Sequence, residues 1–359
     1  MPYSDTSTVS NKQKQSSFLR YVHNFRGLAI LLIVVAHTMQ VVTWQDHPEI
    51  QVFLNVVLQN GSVYFVFIAG FLFQYLSRKY AYKTYLISKF QNVLLPYFLI
   101  SIPSILYWLL RGGPGNVDIA NFFNLPPLGK AIAFYATGDH LFTLWFIPMI
   151  SLYYLLAPGF IWIDRHPKAY WIIPILLLVT LYVNRTPENY IVPTAIHFLS
   201  IYVLGMVCSH YREKLFVVVK HTWFFLVLTA TSLIVHETLI RIDLHLPDEM
   251  LSVNTISKAI FCVLLMYVFW YFDTLIADSH HYCLGILADF SFGIFFLHGY
   301  FSKVYFSIIY RYFGMDSFWS HANIPTFLIL LILKLIGPIL VIYFLKSILH
   351  KKSRYLVGC

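Results

Sequence analysis

Long apolar runs broken by short polar stretches set the pattern of this chain. Runs long enough to cross about 30 Å of hydrocarbon as helices lie near 25–43, 53–76, 93–110, 141–160, 169–183, 192–209, 222–240, 254–275, 283–306 and 324–346. The pattern predicts an all-α polytopic membrane protein, with about ten transmembrane helices in one bundle. The fifth run is short and the ninth long. Residues 1–20, rich in Ser, Thr, Gln and Asn, read as a disordered cytoplasmic tail; 21–350 form one membrane domain, and 351–359 a second cytoplasmic tail. No small-residue cleavage site closes the first run, and Trp44-Gln45-Asp46-His47 follows it, so it reads as a retained span.

Composition strengthens the membrane reading. Hydrophobic residues make up 58% of the chain and charged residues 11%, with mean hydropathy +0.67, against about 25% charged in soluble domains. The net charge of +9 is dispersed at the ends of apolar runs, which fits membrane topology and not nucleic-acid binding. Ten spans put both termini on one side. Seventeen of the 25 lysines and arginines fall on that side, seven on the other, and Lys334 inside the last run. That bias places both termini in the cytoplasm of a multi-pass inner or plasma membrane protein. Cys208, Cys262, Cys283 and Cys359 lack metal-ligand spacing, and no metal is expected. Residues 112–115, Gly-Gly-Pro-Gly, have no following Lys-Ser/Thr and read as a turn. No internal repeat is visible, which argues against an inverted-repeat transporter.

The first span carries the most informative chemistry. Arg26 opens an apolar stretch that contains His37. Eleven residues at about 100° each bring both side chains to one face, roughly 16 Å apart along the axis. The arginine then sits at an interface and the imidazole near mid-membrane, where an ionisable group costs about 2.5–3.5 kcal/mol and reads as functional.

Six segments in order resemble the acyltransferase-3 family of integral membrane O-acyltransferases. Arg26-Gly27 to His37 is similar to its opening motif. Tyr64-Phe65-Val66-Phe67-Ile68-Ala69-Gly70-Phe71 resembles its second-span stretch, with Ala69 where serine is usual. Lys89 and Asn92, ahead of Pro96-Tyr97, stand where the family has arginines. Trp145-Phe146, His197-Phe198 with Gly205, and Ser291-Phe292-Gly293-Ile294-Phe295-Phe296-Leu297-His298 resemble the later motifs.

The resemblance implies that 21–350 is a membrane acyltransferase domain. It would move an acetyl or similar acyl group from cytoplasmic acetyl-CoA to a sugar hydroxyl of a surface polysaccharide or lipid-linked saccharide. It makes His37 the catalytic residue, either as base for the attacking hydroxyl or as a nucleophile carrying an acyl-imidazole. His298 orients the acceptor or relays a proton. Arg26 clamps CoA phosphates through bidentate hydrogen bonds, with Lys89 as a second cation. Trp145 stacks on a sugar ring. Lys334 lies mid-span, and no motif accounts for it. Expected partners are acyl-CoA, the glycan acceptor, membrane lipids and polysaccharide synthase components, with no nucleic acid. The competing reading is a transporter or flippase for a glycan or its lipid-linked precursor.

Overall fold

The structure is a computed structural model that describes residues 19–39, 48–111, 122–183, 190–244, 253–275, 282–313 and 324–358. Most of the expected N-terminal tail, the 112–115 turn and Cys359 lie outside the described residues. In chain order the helices are α1 (Arg20–Met39), α2 (Pro48–Leu58), α3 (Ser62–Tyr75), α4 (Tyr82–Lys89), α5 (Leu95–Arg111), α6 (Pro127–Thr137), α7 (Phe146–Leu155) and α8 (Ala157–Arg165). They continue with α9 (Ile173–Tyr182), α10 (Ile191–His210), α11 (Arg212–Leu244), α12 (Val253–Leu275), α13 (Tyr282–Asp289), α14 (Ser291–Phe313), α15 (Ile324–Leu349) and α16 (Ser353–Val357). The described residues form no strand.

Within the described residues each apolar run folds largely as helix, and the differences from expectation lie in continuity. Among the described residues, seven helical segments are long and apolar enough to cross a membrane: Arg20–Met39, Glu49–Tyr75, Tyr82–Arg111, Ile191–His210, Arg212–Asp243, Val253–Leu275 and Phe327–Leu349. The fourth run is two helices, α7 and α8, bent by 56°. Pro158 at the start of α8 has no N–H to continue the ladder from α7. The fifth run is a shorter apolar helix, Pro167–Tyr182. The ninth divides at Phe290 into α13 and α14. A π-helical turn, Phe90–Leu94, joins α4 to α5 directly after Lys89.

Two further expectations change. The segment read as a trailing tail over 351–359 contains α16, seated against α5 with Val357 buried. His350, at φ 47°, reverses the chain after α15, and the apolar Leu356-Val357 pair gives the short helix something to bury. Lys258, one of the seven lysines and arginines that the span count puts on the side opposite the termini, is buried: its Nζ donates to the Val56 carbonyl at 2.9 Å and to Asn254 Oδ1 at 2.5 Å. Glu237 and Arg241 pair one turn apart on α11, at 2.7 Å, both buried.

Close helix approach depends on glycine. A Cβ on Gly70 of α3 would lie 2.0 Å from the Tyr202 carbonyl oxygen of α10, and one on Gly205 of α10 would lie 2.2 Å from that of Phe67. A Cβ on Gly27 would lie 2.1 Å from the Leu284 carbonyl oxygen of α13. These contacts are with main chain, so no side-chain rotation relieves them. Gly205→Ala is therefore expected to destabilise the bundle by about 1–3 kcal/mol. Thermal unfolding in a fixed detergent checks this; an unchanged midpoint contradicts the close contact.

Candidate functional site

α1 and α14 each bring an imidazole to the interior. His37, in the last turn of α1, and His298 of α14 lie with ring centroids 5.4 Å apart and planes tilted by 34°. Phe142 packs edge-on against His37 at 5.1 Å. His298 is fully buried, and its Nδ1 lies 2.9 Å from the Ile294 carbonyl one turn back. A carbonyl only accepts, so Nδ1 carries the hydrogen, and in the neutral ring Nε2 presents a lone pair. That Nε2 is buried and has no hydrogen-bond partner among the described residues. The two catalytic candidates are thus in contact, and one of them has its tautomer fixed as a base.

Lys334 joins this pair. It is 1% exposed on α15, and its Nζ donates to the main-chain carbonyl of His37 at 3.1 Å.

Arg26 and Lys89 meet at a different place. Both line one cavity of about 460 Å³, with Phe65, Ile68, Ala69, Phe146 and Phe292 on its walls, a volume typical of small-molecule sites. Arg26 Nη2 donates to the Ala288 carbonyl at 2.8 Å, in the last turn of α13, where the helix dipole favours a cation. Gly27 permits that contact by letting α13 lie against α1. The Lys89 ammonium stands 5.3 Å from the Tyr85 ring centre and 5.2 Å from that of Tyr154. Both rings line the cavity, so cation–π attraction holds Lys89 at its edge.

A second, more polar cavity of about 730 Å³ adjoins the first and shares Leu76, Ser77 and Lys79 with it. Arg78, Arg212 and Lys214 line it. Asp164 organises its wall, accepting from Gln74 at 3.1 Å, Ser77 at 2.9 Å, Tyr170 at 2.8 Å and His210 Nδ1 at 2.8 Å. Segments assigned to one side by the span count therefore meet at one end of the bundle.

Three rings stand between the first cavity and the imidazoles. Phe65 and Phe146 line the cavity and touch each other at 6.4 Å. Phe295 contacts both, at 6.5 and 5.6 Å, and lies 6.1 Å from His298. Single phenylalanines in apolar runs give no sign of such a cluster in the sequence. The fixed tautomer of His298 and the second cavity were equally invisible there. Trp145 is 3% exposed and stacks at 18° on Phe198. One face of its indole is already covered, and it is set apart from the open platform expected for a sugar.

The profile of the acyltransferase-3 family, an acyltransferase domain, matches residues 19–343, and the chain belongs to that family. It is accordingly a multi-pass membrane acyltransferase. No curated protein and no solved structure matches the chain at a significant level.

Ala69→Phe would push a ring into the first cavity beside Phe65 and Phe146. For a cavity that takes an acyl-CoA donor, the expected result is at least a tenfold loss of CoA affinity with the unfolding midpoint retained, read by titration of purified protein. Unchanged affinity would remove this cavity as the donor site.

Proposed function

We propose that this acyltransferase moves an acetyl or similar acyl group from acetyl-CoA to a hydroxyl of a surface polysaccharide or its lipid-linked precursor. The observation that carries the reading is the contact between His37 and the buried His298, one ring cluster away from a cavity edged by Arg26 and Lys89. CoA combines a polyanionic head with a long, weakly polar arm ending in a thioester. The two adjoining cavities match that division: cations surround the larger one, and apolar walls lead inward from the smaller. The basic bias of the loops supports a cytoplasmic position for this end, facing the acyl-CoA pool of an inner or plasma membrane, with both termini on that side. The acceptor then arrives from the opposite end, and a polysaccharide synthase would be a natural partner for delivering it.

In the reaction, His298 Nε2 accepts the proton of the acceptor hydroxyl while its oxygen attacks the thioester carbonyl carbon. The carbonyl π pair moves to oxygen, and collapse of the adduct re-forms C=O and breaks the C–S bond. The departing CoA thiolate takes the proton back from the imidazolium. His37, in ring contact, relays that proton or first takes the acyl group itself; general acid–base assistance of this kind is worth about 10²–10⁴ in rate.

The test supplies radiolabelled acetyl-CoA to membranes and follows label into the glycan and lipid-linked saccharide fractions. At matched protein levels, His37→Ala is expected to lower incorporation by about 10²–10⁴. Near-normal incorporation would sink His37 as a reacting group, and absence of label with the unaltered protein would sink the glycan acyltransferase reading.

Arg26→Ala should raise the dissociation constant for CoA by at least tenfold. Arg26→Lys should recover only part of it, since lysine keeps the charge but loses the planar fork. Equal affinity in all three proteins would leave Arg26 as an anchor of α13 alone.

A further inference from the structure

We propose that Lys334 is a further catalytic residue, whose ε-amino group holds the oxyanion formed when the thioester carbonyl is attacked beside His37 and His298. The inference rests on the acyl-transfer reading above. It begins from an imbalance. Lys334 lies in the apolar helix α15 and is 1% exposed, where a lysine costs about 2.5–3.5 kcal/mol or more. Buried ammonium groups normally pair with a carboxylate, yet among the described residues no carboxylate forms an ion pair with it.

The plain alternative is a helix cap. The His37 carbonyl is among the last four of α1, which lack donors within the helix, and a lysine at a helix C-terminus is favourable. That bond uses one of the three N–H groups of an ammonium, and no described residue accepts the others. A neutral donor would cap the same carbonyl at lower desolvation cost. Capping therefore explains the position of Lys334 but not its charge.

Its surroundings explain the charge. The carbonyl it holds belongs to His37 itself, and His37 contacts His298. Escape toward an interface is restricted, because a Cβ on Gly337, one turn further along α15, would lie 2.3 Å from the Phe301 ring of α14. The helices are that close, and the amine is held inward. A cation lacking a protein anion, beside two imidazoles that act as bases, is complementary to a negative charge that exists only during reaction. Such complementarity accelerates the step instead of tightening ground-state binding. When the hydroxyl oxygen bonds to the carbonyl carbon, its proton passes to imidazole and the π pair becomes the oxyanion that Lys334 holds. When the C–S bond breaks, that pair re-forms C=O and Lys334 is released unchanged.

Lys334→Met, close in length and shape but without N–H groups, tests this in the full-length purified protein. CoA release and acetyl transfer would be followed with acetyl-CoA as donor and a membrane glycan fraction as acceptor. The expected result is a fall in kcat of about 10²–10³, with KM for acetyl-CoA within about threefold and the unfolding midpoint retained. A kcat within threefold of the unaltered protein overturns the assignment. If Lys334→Met does not fold, Lys334→Gln keeps an N–H donor without the charge: a kcat at least tenfold down in folded protein supports the proposal, and an unaltered kcat overturns it. No transfer by the unaltered protein would overturn the acyl-transfer reading and this inference together, whereas undiminished transfer by the variant overturns Lys334 alone.

Discussion

Lipid offers no hydrogen bonds, so polar groups in the membrane interior must be satisfied within the protein. Most of this bundle obeys that constraint in view. Ser302 donates to the His298 carbonyl at 3.0 Å, Thr180 to the His197 carbonyl at 2.9 Å, and Arg241 to Glu237. His197 has a partner at each ring nitrogen, the Val183 carbonyl at 2.8 Å and Thr255 Oγ1 at 3.0 Å, which marks it as a structural crosslink. Against that background, the open Nε2 of His298 and the cation of Lys334 stand out. A polar group left incomplete in a dry interior costs stability, and its natural complement is something that arrives.

Incomplete bonding alone does not define a site. His140 Nε2 is also buried without a described partner. Its ring sits among Tyr97, Phe134 and Tyr135, while its carbonyl gathers Ser104, Trp108 and Lys303. That arrangement ties α5, α6 and α14 together at one point. His298 differs in touching a second imidazole and in lying one ring cluster from a cation-edged cavity. It is the conjunction that carries the chemistry.

The sequence displayed the bundle because apolar runs of membrane length report directly on helix, and it displayed Arg26 and His37 because they share one helix and one face. It showed less wherever two distant segments had to meet. Nothing local to His298 tells that it touches His37, and nothing near Phe65 tells that it packs on Phe146 and Phe295. Trp145 illustrates the converse. A tryptophan at the start of an apolar run looks interfacial, but α10 supplies Phe198 to cover it. Lys334 was conspicuous as a charge in an apolar run, while its meaning depended on a carbonyl contributed by the first helix. The breaks at Pro158 and Phe290 affected span boundaries and left the site residues in place.

The ring cluster gives the arrangement its reason. A thioester beside two basic imidazoles would be hydrolysed if water reached it, and hydrolysis would waste donor whenever the acceptor is absent. In the proposed reaction Phe65, Phe146 and Phe295 would close the inner end of the donor cavity with apolar surface, and exclusion of water would strengthen the field of Lys334 on any charge that develops there. An acyl arm that slides between the rings brings its own apolar surface to replace their contacts. Bulk water entering the same gap would meet only phenyl groups until it reached the imidazoles. In the proposed reaction Arg26, which would meet the donor, and His37, which would react with it, are placed at two depths on α1, roughly 16 Å apart, with the aromatic layer between them. On the proposed reading, that separation would let one end of the bundle bind a polyanion in water while the other half stays dry enough for acid–base chemistry on an uncharged hydroxyl.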